Sequence, residues 1–141
     1  MDRCNHQSMT GLWMRPVYWE GILAGEITTV VRSGDRSDPN GPTFIPLNVP
    51  VPVRFLEQMG IRDQGIQPKL YPDDGTTVEL VERIVKQIRD LTPDDLAGGS
   101  LDISDPERVR LHLAVIGNTK LPDYGATVTV YKFRLLPPAV E

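Results

Sequence analysis

The sequence has little cysteine and little histidine, and each shortage narrows the kind of site it can build. Its single cysteine, Cys4, cannot form an internal disulfide or a cysteine-based zinc site, so a reducing, cytoplasmic setting is expected. The two histidines, His6 and His112, lie far apart in the chain, so no metal site is expected. The chain also lacks a phosphate-cradling glycine loop, a GxSxG turn and an HExxH pair, and no cofactor is expected.

Long apolar runs and excess positive charge are missing as well. No window approaches a signal peptide or the roughly 20 apolar residues that span a bilayer, so no membrane association is expected. Lysine and arginine number 15 against 19 acidic residues, which gives a net charge of −4. This balance argues against avid, non-specific binding to nucleic acid, which needs many cationic contacts to phosphate, but it is compatible with a local basic groove.

Proline and glycine, in contrast, are abundant, with 13 and 12 residues. This content is high for a helical bundle and predicts a fold rich in turns and strands. Residues 1–11 are polar and unpatterned and are predicted to form a flexible N-terminal tail. The remaining length suits one hydrophobic core, so a single domain is predicted over residues 12–138.

Local patterns predict several short elements separated by turns. Turn residues and capping signals predict short helices over residues 18–25, 92–98 and 104–116. The helical spacing of Phe55, Leu56 and Met59 predicts another over residues 53–59. Runs rich in β-branched residues predict strands over residues 26–32 and 126–135. Prolines predict a loop over residues 36–52, in which residues 49–53 could lie extended along a sheet edge. Residues 61–75 are polar and end in the turn signal Asp74-Gly75.

Residues 76–91 fit two secondary structures. A helical stripe is formed by Val81, Ile84, Val85 and Ile88. A strand face would instead be formed by Val78, Leu80, Ile84 and Ile88. The period alone favours a helix.

The segment from Ile22 to Arg32 carries the most informative pattern. Ile22, Leu23, Gly25 and Arg32 match the opening signature of the ASCH family, a branch of the PUA-like RNA-binding domains, which this chain resembles over Val17 to Phe133. Later segments follow the family order: Asp90-Leu91-Thr92, two short helices, and a last strand ending at Phe133. The resemblance implies an α+β, PUA-like, partly open β-barrel with about three short helices, and it implies a long strand from Val78 to about Arg89.

The resemblance further implies that the domain binds RNA or a nucleotide or nucleoside in a cleft beside the first helix and strand. Arg15 and Arg32 are the expected phosphate contacts, and Tyr18 or Trp19 the expected base-stacking residue. Hydrogen bonds to the base or sugar are expected from Thr28, Thr29 and Glu107. Each has a structural alternative, because Glu107 has capping-box spacing and clustered aromatic residues often pack in a core. His112 is expected to be a satisfied, partly buried side chain.

Two other functions are compatible with the sequence. Some ASCH proteins resemble amidohydrolases that act on acetylcytidine and use a lysine, a threonine and a glutamate. The lysine and threonine positions are Ile27 and Val30 here, which can neither transfer a proton nor attack a carbonyl, so an enzyme is not favoured. Such an activity would have to use Glu107 with Thr28 or Thr29. The third alternative is a scaffold domain that dimerises through edge pairing of residues 43–53.

Overall fold

The structure is a computed structural model that describes residues 11–58, 64–67, 69–72, 75–117 and 120–137. The predicted tail lies outside the described residues except for Gly11, and so do Cys4, His6 and the Asp73-Asp74 part of the predicted turn. Within these ranges, no helix is both long enough and apolar enough to cross a membrane.

Six strands form one mixed sheet in the described part of the chain. They are β1 (Leu12–Met14), β2 (Thr29–Ser33), β3 (Pro50–Gln58), β4 (Lys69–Leu70), β5 (Thr77–Gln87) and β6 (Thr127–Leu135). Their order is β1-β3-β5-β6-β2, with β4 paired to β3, and all pairs are antiparallel except β1 with β3. The sheet is open, so the strand-rich α+β class is confirmed but the strands do not close into a barrel.

The described residues form three α-helices: α1 (Trp19–Leu23), α2 (Pro93–Leu96) and α3 (Pro106–Gly117). Short 3-10 helices cover Pro16–Tyr18, Ile88–Asp90 and Leu101–Ile103. The helix predicted after Thr92 is confirmed, because Thr92 and Asp95 form the reciprocal hydrogen bonds of a capping box. In α3 the capping side chain is Asp105, which accepts a hydrogen bond from the Arg108 main-chain N–H at 2.9 Å, rather than the Ser104–Glu107 pair.

The sheet has a hydrophobic core on each face because successive side chains of a strand point in opposite directions. On β6, Tyr131 and Phe133 belong to one core, while Val128 and Val130 belong to the other. The first core, here core A, also contains residues of β1 and α1: Leu12, Met14 and Ile22. The second, core B, lies under α2 and α3 and contains Leu96, Val109 and Leu113. Burial on both faces explains why β6 is apolar through most of its length.

A β-bulge in β5 resolves the ambiguous region as a strand. Leu80 pairs with Phe133 but Glu82 pairs with Lys132, so Val81 is an extra residue in β5. The extra residue moves the later side chains to the opposite face, so Leu80 lies in core A whereas Ile84 packs against core B. The apolar residues therefore do not share one strand face as predicted, and the shift produces their helix-like spacing.

Residues 53–59 were predicted to be helical, and this prediction is wrong through Gln58, which ends β3. Burial alternates along this strand, with Val51, Val53 and Phe55 buried. Residues 50–52 are extended and pair with β5, whereas β1 pairs with the strand from Val53 to Phe55, so β3 lies between β1 and β5 in the strand order. The Val53 N–H donates to Thr76 O on the β5 side, so the nitrogen of Pro52 faces away from β5 and costs no hydrogen bond to that strand.

Candidate functional site

Four polar side chains meet where the first 3-10 helix approaches α3. The Tyr18 hydroxyl and the Ser100 hydroxyl each donate a hydrogen bond to a different oxygen of Asp102. His112 Nδ1 lies 3.3 Å from Asp102 Oδ2, and the His112 ring meets the Tyr18 ring edge-on at 6.2 Å. Asp102 is therefore the acceptor at the centre of this cluster, here the Tyr18–Asp102–His112 cluster.

Each member of the cluster is positioned by a different element. Tyr18 ends the 3-10 helix that Pro16 begins, and Asp102 lies in the 3-10 helix Leu101–Ile103. His112 lies on α3, which is held against core B by Val109 and Leu113. The cluster thus joins segments from both ends of the chain.

The three groups have pKa values that fix their charges at neutral pH. Burial and the hydrogen bond to Asp102 raise the pKa of Tyr18 to about 12, so its hydroxyl stays protonated and donates. Burial opposes ionisation of Asp102, but the hydrogen bonds from Ser100 and Tyr18 outweigh it and lower its pKa. Burial lowers the pKa of His112 despite the nearby carboxylate, and the charges of Arg32 and Arg15 lower it further. The imidazole is therefore neutral at pH 7.

Arg32 connects the two ends of the open sheet. Its guanidinium donates to Trp13 O at 2.6 Å and to Val31 O at 2.9 Å, and it contacts Met14 Sδ at 3.0 Å. Burial, and then the charge of Arg36, lowers the pKa of Arg32 to about 10, so it remains a cation at neutral pH. The hydrogen bonds give Arg32 a structural role, because β1 and β2 are at opposite ends of the strand order.

Arg15 is the second cation beside the cluster. Its charge acts on both Tyr18 and His112, which places the guanidinium near both groups. The side chain is half-buried and forms no hydrogen bond or ion pair with any other described residue. With Arg15 and Arg32 positive, Asp102 negative and His112 neutral, the cluster has a local excess of positive charge on an acidic protein.

The predicted stacking residues are already packed by the fold. Trp19 stacks on Phe55 with ring centroids 4.3 Å apart and planes 11° apart, and it lies 5.6 Å from Tyr71 at a tilt. Tyr18 is buried, with only 8% of its surface exposed. Trp19 is half-buried, so it presents more surface to a ligand than Tyr18 does.

Thr28 and Thr29 hold the turn that follows α2. The Thr29 hydroxyl donates to Ala97 O at 2.6 Å, and the Thr28 N–H donates to Gly98 O at 2.8 Å. Lys132 adds hydrogen bonds to the same turn, including one to Ala97 O at 2.8 Å. Both threonines therefore have structural partners in this turn.

Glu107 lies at the start of α3 and is bound by its own neighbours. Its Oε1 accepts hydrogen bonds from the Tyr124 hydroxyl at 2.6 Å and from Arg110 Nη1 at 3.0 Å. These hydrogen bonds lower the pKa of Glu107, so its carboxylate is ionised at neutral pH. The Arg110 guanidinium also covers the Tyr124 ring at 4.3 Å. Glu107 thus has partners distinct from those of the Tyr18–Asp102–His112 cluster.

The structure places Arg15 and Arg32 within electrostatic reach of Tyr18 and leaves Glu107 in a separate hydrogen-bonded group. Sequence reasoning missed Ser100 and Asp102, which lie in a short turn without a periodic pattern. The expectation that His112 is satisfied and partly buried is confirmed by its contact with Asp102 and its 8% exposure. Among the residues that the structure describes, no group of three histidine, cysteine or acidic side chains could hold a metal ion.

No family model and no curated protein matches the sequence. Solved structures that are similar to the chain include a protein of Enterococcus faecalis V583 assigned to the family model DUF984. It has 11% identity and a TM-score of 0.59, and the match covers 99% of this chain and 91% of that protein. At this identity the match shows a shared fold. An ASCH domain from Lactobacillus crispatus JV V101 is also similar, with 9% identity, a TM-score of 0.48 and coverage of 88% and 79%.

Proposed function

We propose that the chain is an ASCH-like binding domain for RNA or a nucleotide, with its ligand beside the first helix and β2. The observation that carries this proposal is the convergence of Arg15 and Arg32 on the Tyr18–Asp102–His112 cluster. Two arginines beside a single carboxylate leave a positive charge that a phosphate group would neutralise.

Arg15 is the main phosphate contact in this proposal. Its guanidinium makes no hydrogen bond to another described residue, so its donors are available to a ligand. Arg32 keeps fewer donors for a ligand than Arg15, since both of its terminal nitrogens already donate to main-chain oxygens. Trp19 is the favoured stacking residue because it is less buried than Tyr18.

The hydrolase alternative has less support. It needs Glu107 and a threonine hydroxyl to act on one substrate, but Glu107 is bound to Tyr124 and Arg110 while Thr29 is bound to Ala97. It also lacks the lysine and threonine that the family activity implies, at Ile27 and Val30. Incubation of the protein with acetylcytidine tests this alternative, and we expect no release of acetate above that of a Glu107→Gln variant.

The scaffold alternative also loses part of its proposed surface. Residues 50–52 of β3 pair with β5 on one side, and Val53 is paired with β1. In the preceding loop, Ile45 O accepts a hydrogen bond from Arg83 at 2.5 Å and the Asn48 N–H donates to Leu80 O at 2.9 Å. Ile45 and Asn48 therefore already bind β5, which leaves less of this segment for edge pairing with a second chain.

Fluorescence anisotropy with a labelled short single-stranded RNA at low salt tests the binding proposal. We expect Arg15→Gln to weaken binding about tenfold and to reduce the salt dependence by about one released counterion. Arg15 is preferred to Arg32 for this test because loss of the Arg32 hydrogen bonds would disturb β1 and β2.

Arg89→Gln is the matched control. Arg89 is exposed in the 3-10 helix after β5, where its main-chain N–H donates to Tyr124 O, so this variant removes the same charge away from the cluster. We expect it to bind RNA as the wild type does. If both variants bound RNA equally more weakly than the wild type, the binding would depend only on net charge, and the proposed site would be refuted.

A further inference from the structure

The Tyr131 hydroxyl is buried without a hydrogen-bond partner among the described residues. Tyr131 lies on β6 and has 0% of its surface exposed. Buried polar groups in folded proteins are almost always hydrogen-bonded, so an orphaned hydroxyl indicates that a partner is missing. The Arg83 Nε atom is the other buried side-chain atom without a partner in the same part of the chain.

Three arginines lie near Tyr131. Arg83 on β5 pairs directly with Tyr131, and its guanidinium lies 5.9 Å from the Tyr131 ring centroid. Arg32 on β2 pairs with Thr129, which points to the same face as Tyr131 because the two are separated by one residue. The Arg36 main-chain N–H donates to the Thr129 hydroxyl at 2.9 Å, and the side chains of both Arg36 and Arg32 lie within electrostatic reach of Tyr131.

These arginines have no carboxylate partner in the described part of the chain. Their side-chain hydrogen bonds go to main-chain oxygens: Arg32 to Trp13 and Val31, Arg36 to Ser33, and Arg83 to Ile45. All three side chains are at least half-buried. Buried charges are ordinarily paired with an opposite charge, so three neighbouring unpaired cations are unusual.

The β-bulge in β5 creates this arrangement. Without the extra residue Val81, Arg83 would point to the opposite face of the sheet, away from Tyr131. Bulges commonly reorient a side chain next to a functional site. Here the bulge places the guanidinium between the Tyr131 ring and the Phe44 ring, whose centroid is 4.6 Å away.

We propose that Arg32, Arg36, Arg83 and the Tyr131 hydroxyl form an anion site that binds a phosphate group. Three guanidinium groups and a hydroxyl offer more donors than a carboxylate has oxygens, whereas a phosphate can use them from several directions. A ligand can reach this face of the sheet because Val85, which pairs with Thr129, is 37% exposed. The inference rests on the proposed function only in assigning this phosphate to RNA or a nucleotide.

Inorganic phosphate, titrated by calorimetry in a chloride buffer at low ionic strength, tests the anion site directly. We expect saturable binding of one phosphate per chain and a rise in melting temperature on phosphate addition. Arg83→Gln and Arg36→Gln should each weaken binding at least tenfold, while Arg89→Gln should leave it unchanged. Arg36→Gln keeps the test valid if Arg83→Gln fails to fold, because the only hydrogen bond described for the Arg36 side chain is to the exposed Ser33.

Each outcome of this titration decides the proposal. No saturable binding, or equal binding by all variants, would overturn it, and tighter binding of acetate or citrate than of phosphate would overturn the ligand class. Saturable phosphate binding without RNA or nucleotide binding would support the anion site and refute the proposed function. The opposite result is a protein that binds no phosphate but binds RNA through Arg15, with no effect of Arg36→Gln or Arg83→Gln. That result would support the proposed function and refute the anion site.

Discussion

Replacing Tyr131 by phenylalanine removes only the hydroxyl group of a buried side chain in core A. The ring remains in core A and can still face Arg83, because a phenylalanine ring also attracts a cation. The hydroxyl that disappears is fully buried and has no hydrogen-bond partner among the described residues. The substitution therefore removes an unsatisfied polar group without creating a cavity.

An unsatisfied buried polar group costs about 1–3 kcal/mol of stability, so we expect Tyr131→Phe to raise the free energy of unfolding by about 1–2 kcal/mol in the absence of ligand. For a domain of this size, that gain corresponds to a melting temperature higher by roughly 3–8 °C. The same variant should bind inorganic phosphate more weakly, because the proposed site loses a donor. A gain in stability with a loss of binding is the expected pattern for a residue kept for function.

Urea unfolding followed by circular dichroism, without added phosphate, measures the first effect. Tyr18→Phe is the matched control of opposite sign, because its hydroxyl donates to Asp102 and its loss should cost about 1.5–3 kcal/mol. A Tyr131→Phe variant destabilised by about 1 kcal/mol or more would show that the hydroxyl has a partner, and the reasoning behind the anion site would fail.

Two further predictions concern α2 and the turn that follows it. Gly98→Ala should destabilise the fold by several kcal/mol, since φ is +85° and the added Cβ would lie 2.3 Å from Thr28 Oγ1. Gly25→Ala is the control, because Gly25 has a similar φ of +76° but open space around it, and it should cost only about 1–2 kcal/mol. Similar losses of stability for the two variants in urea unfolding would contradict the close contact at Gly98. Burial opposes ionisation of Asp95, but hydrogen bonds from Lys86 and Thr92 lower its pKa, so the folded state binds fewer protons than the unfolded chain. Stability should therefore fall as the pH drops through the ordinary value of 3.8, and Asp95→Asn should flatten that acid limb; an unchanged limb would refute the assignment.

Features encoded by neighbouring residues were predictable from the sequence. The helix after Thr92 follows from a capping threonine, a proline at the first position and a glycine stop, all within a few residues. Strand β6 follows from a run of β-branched and aromatic residues bounded by turns. In both cases the local preference and the tertiary packing favour the same structure.

Features that depend on distant partners were not predictable. β1 has only three residues and pairs with β3, about forty residues away, so no local pattern indicates it. The apolar residues of β5 change faces at a bulge, which gives them helical spacing although they form a strand. Residues 53–59 have a helical spacing of Phe55 and Leu56, and residues 51–55 have the alternation of a strand. Pairing of β3 with β1 and β5 selects the alternation.

The candidate site also contains residues that were predictable from the sequence and residues that were not. Arg32 lies in the segment that the family pattern marks, and Arg15 and Tyr18 lie a few residues before it, so all three could be named from the sequence. Asp102 acquires its role only when Leu101–Ile103 is packed beside α3, and Arg83 acquires its role only through the register of β5 against β6. The residues that flank Asp102 and Arg83 in the sequence do not indicate either of these contacts.

The central claim is that a phosphate-bearing nucleic-acid ligand binds beside Arg15 and Arg32, and an NMR titration with a short single-stranded RNA at low salt tests it most directly. The account predicts that the side-chain resonances of Arg15, Arg32 and His112 shift first and saturably, while those of Arg89 stay fixed. Shifts confined to other surfaces, or none at the highest RNA concentration, would contradict it.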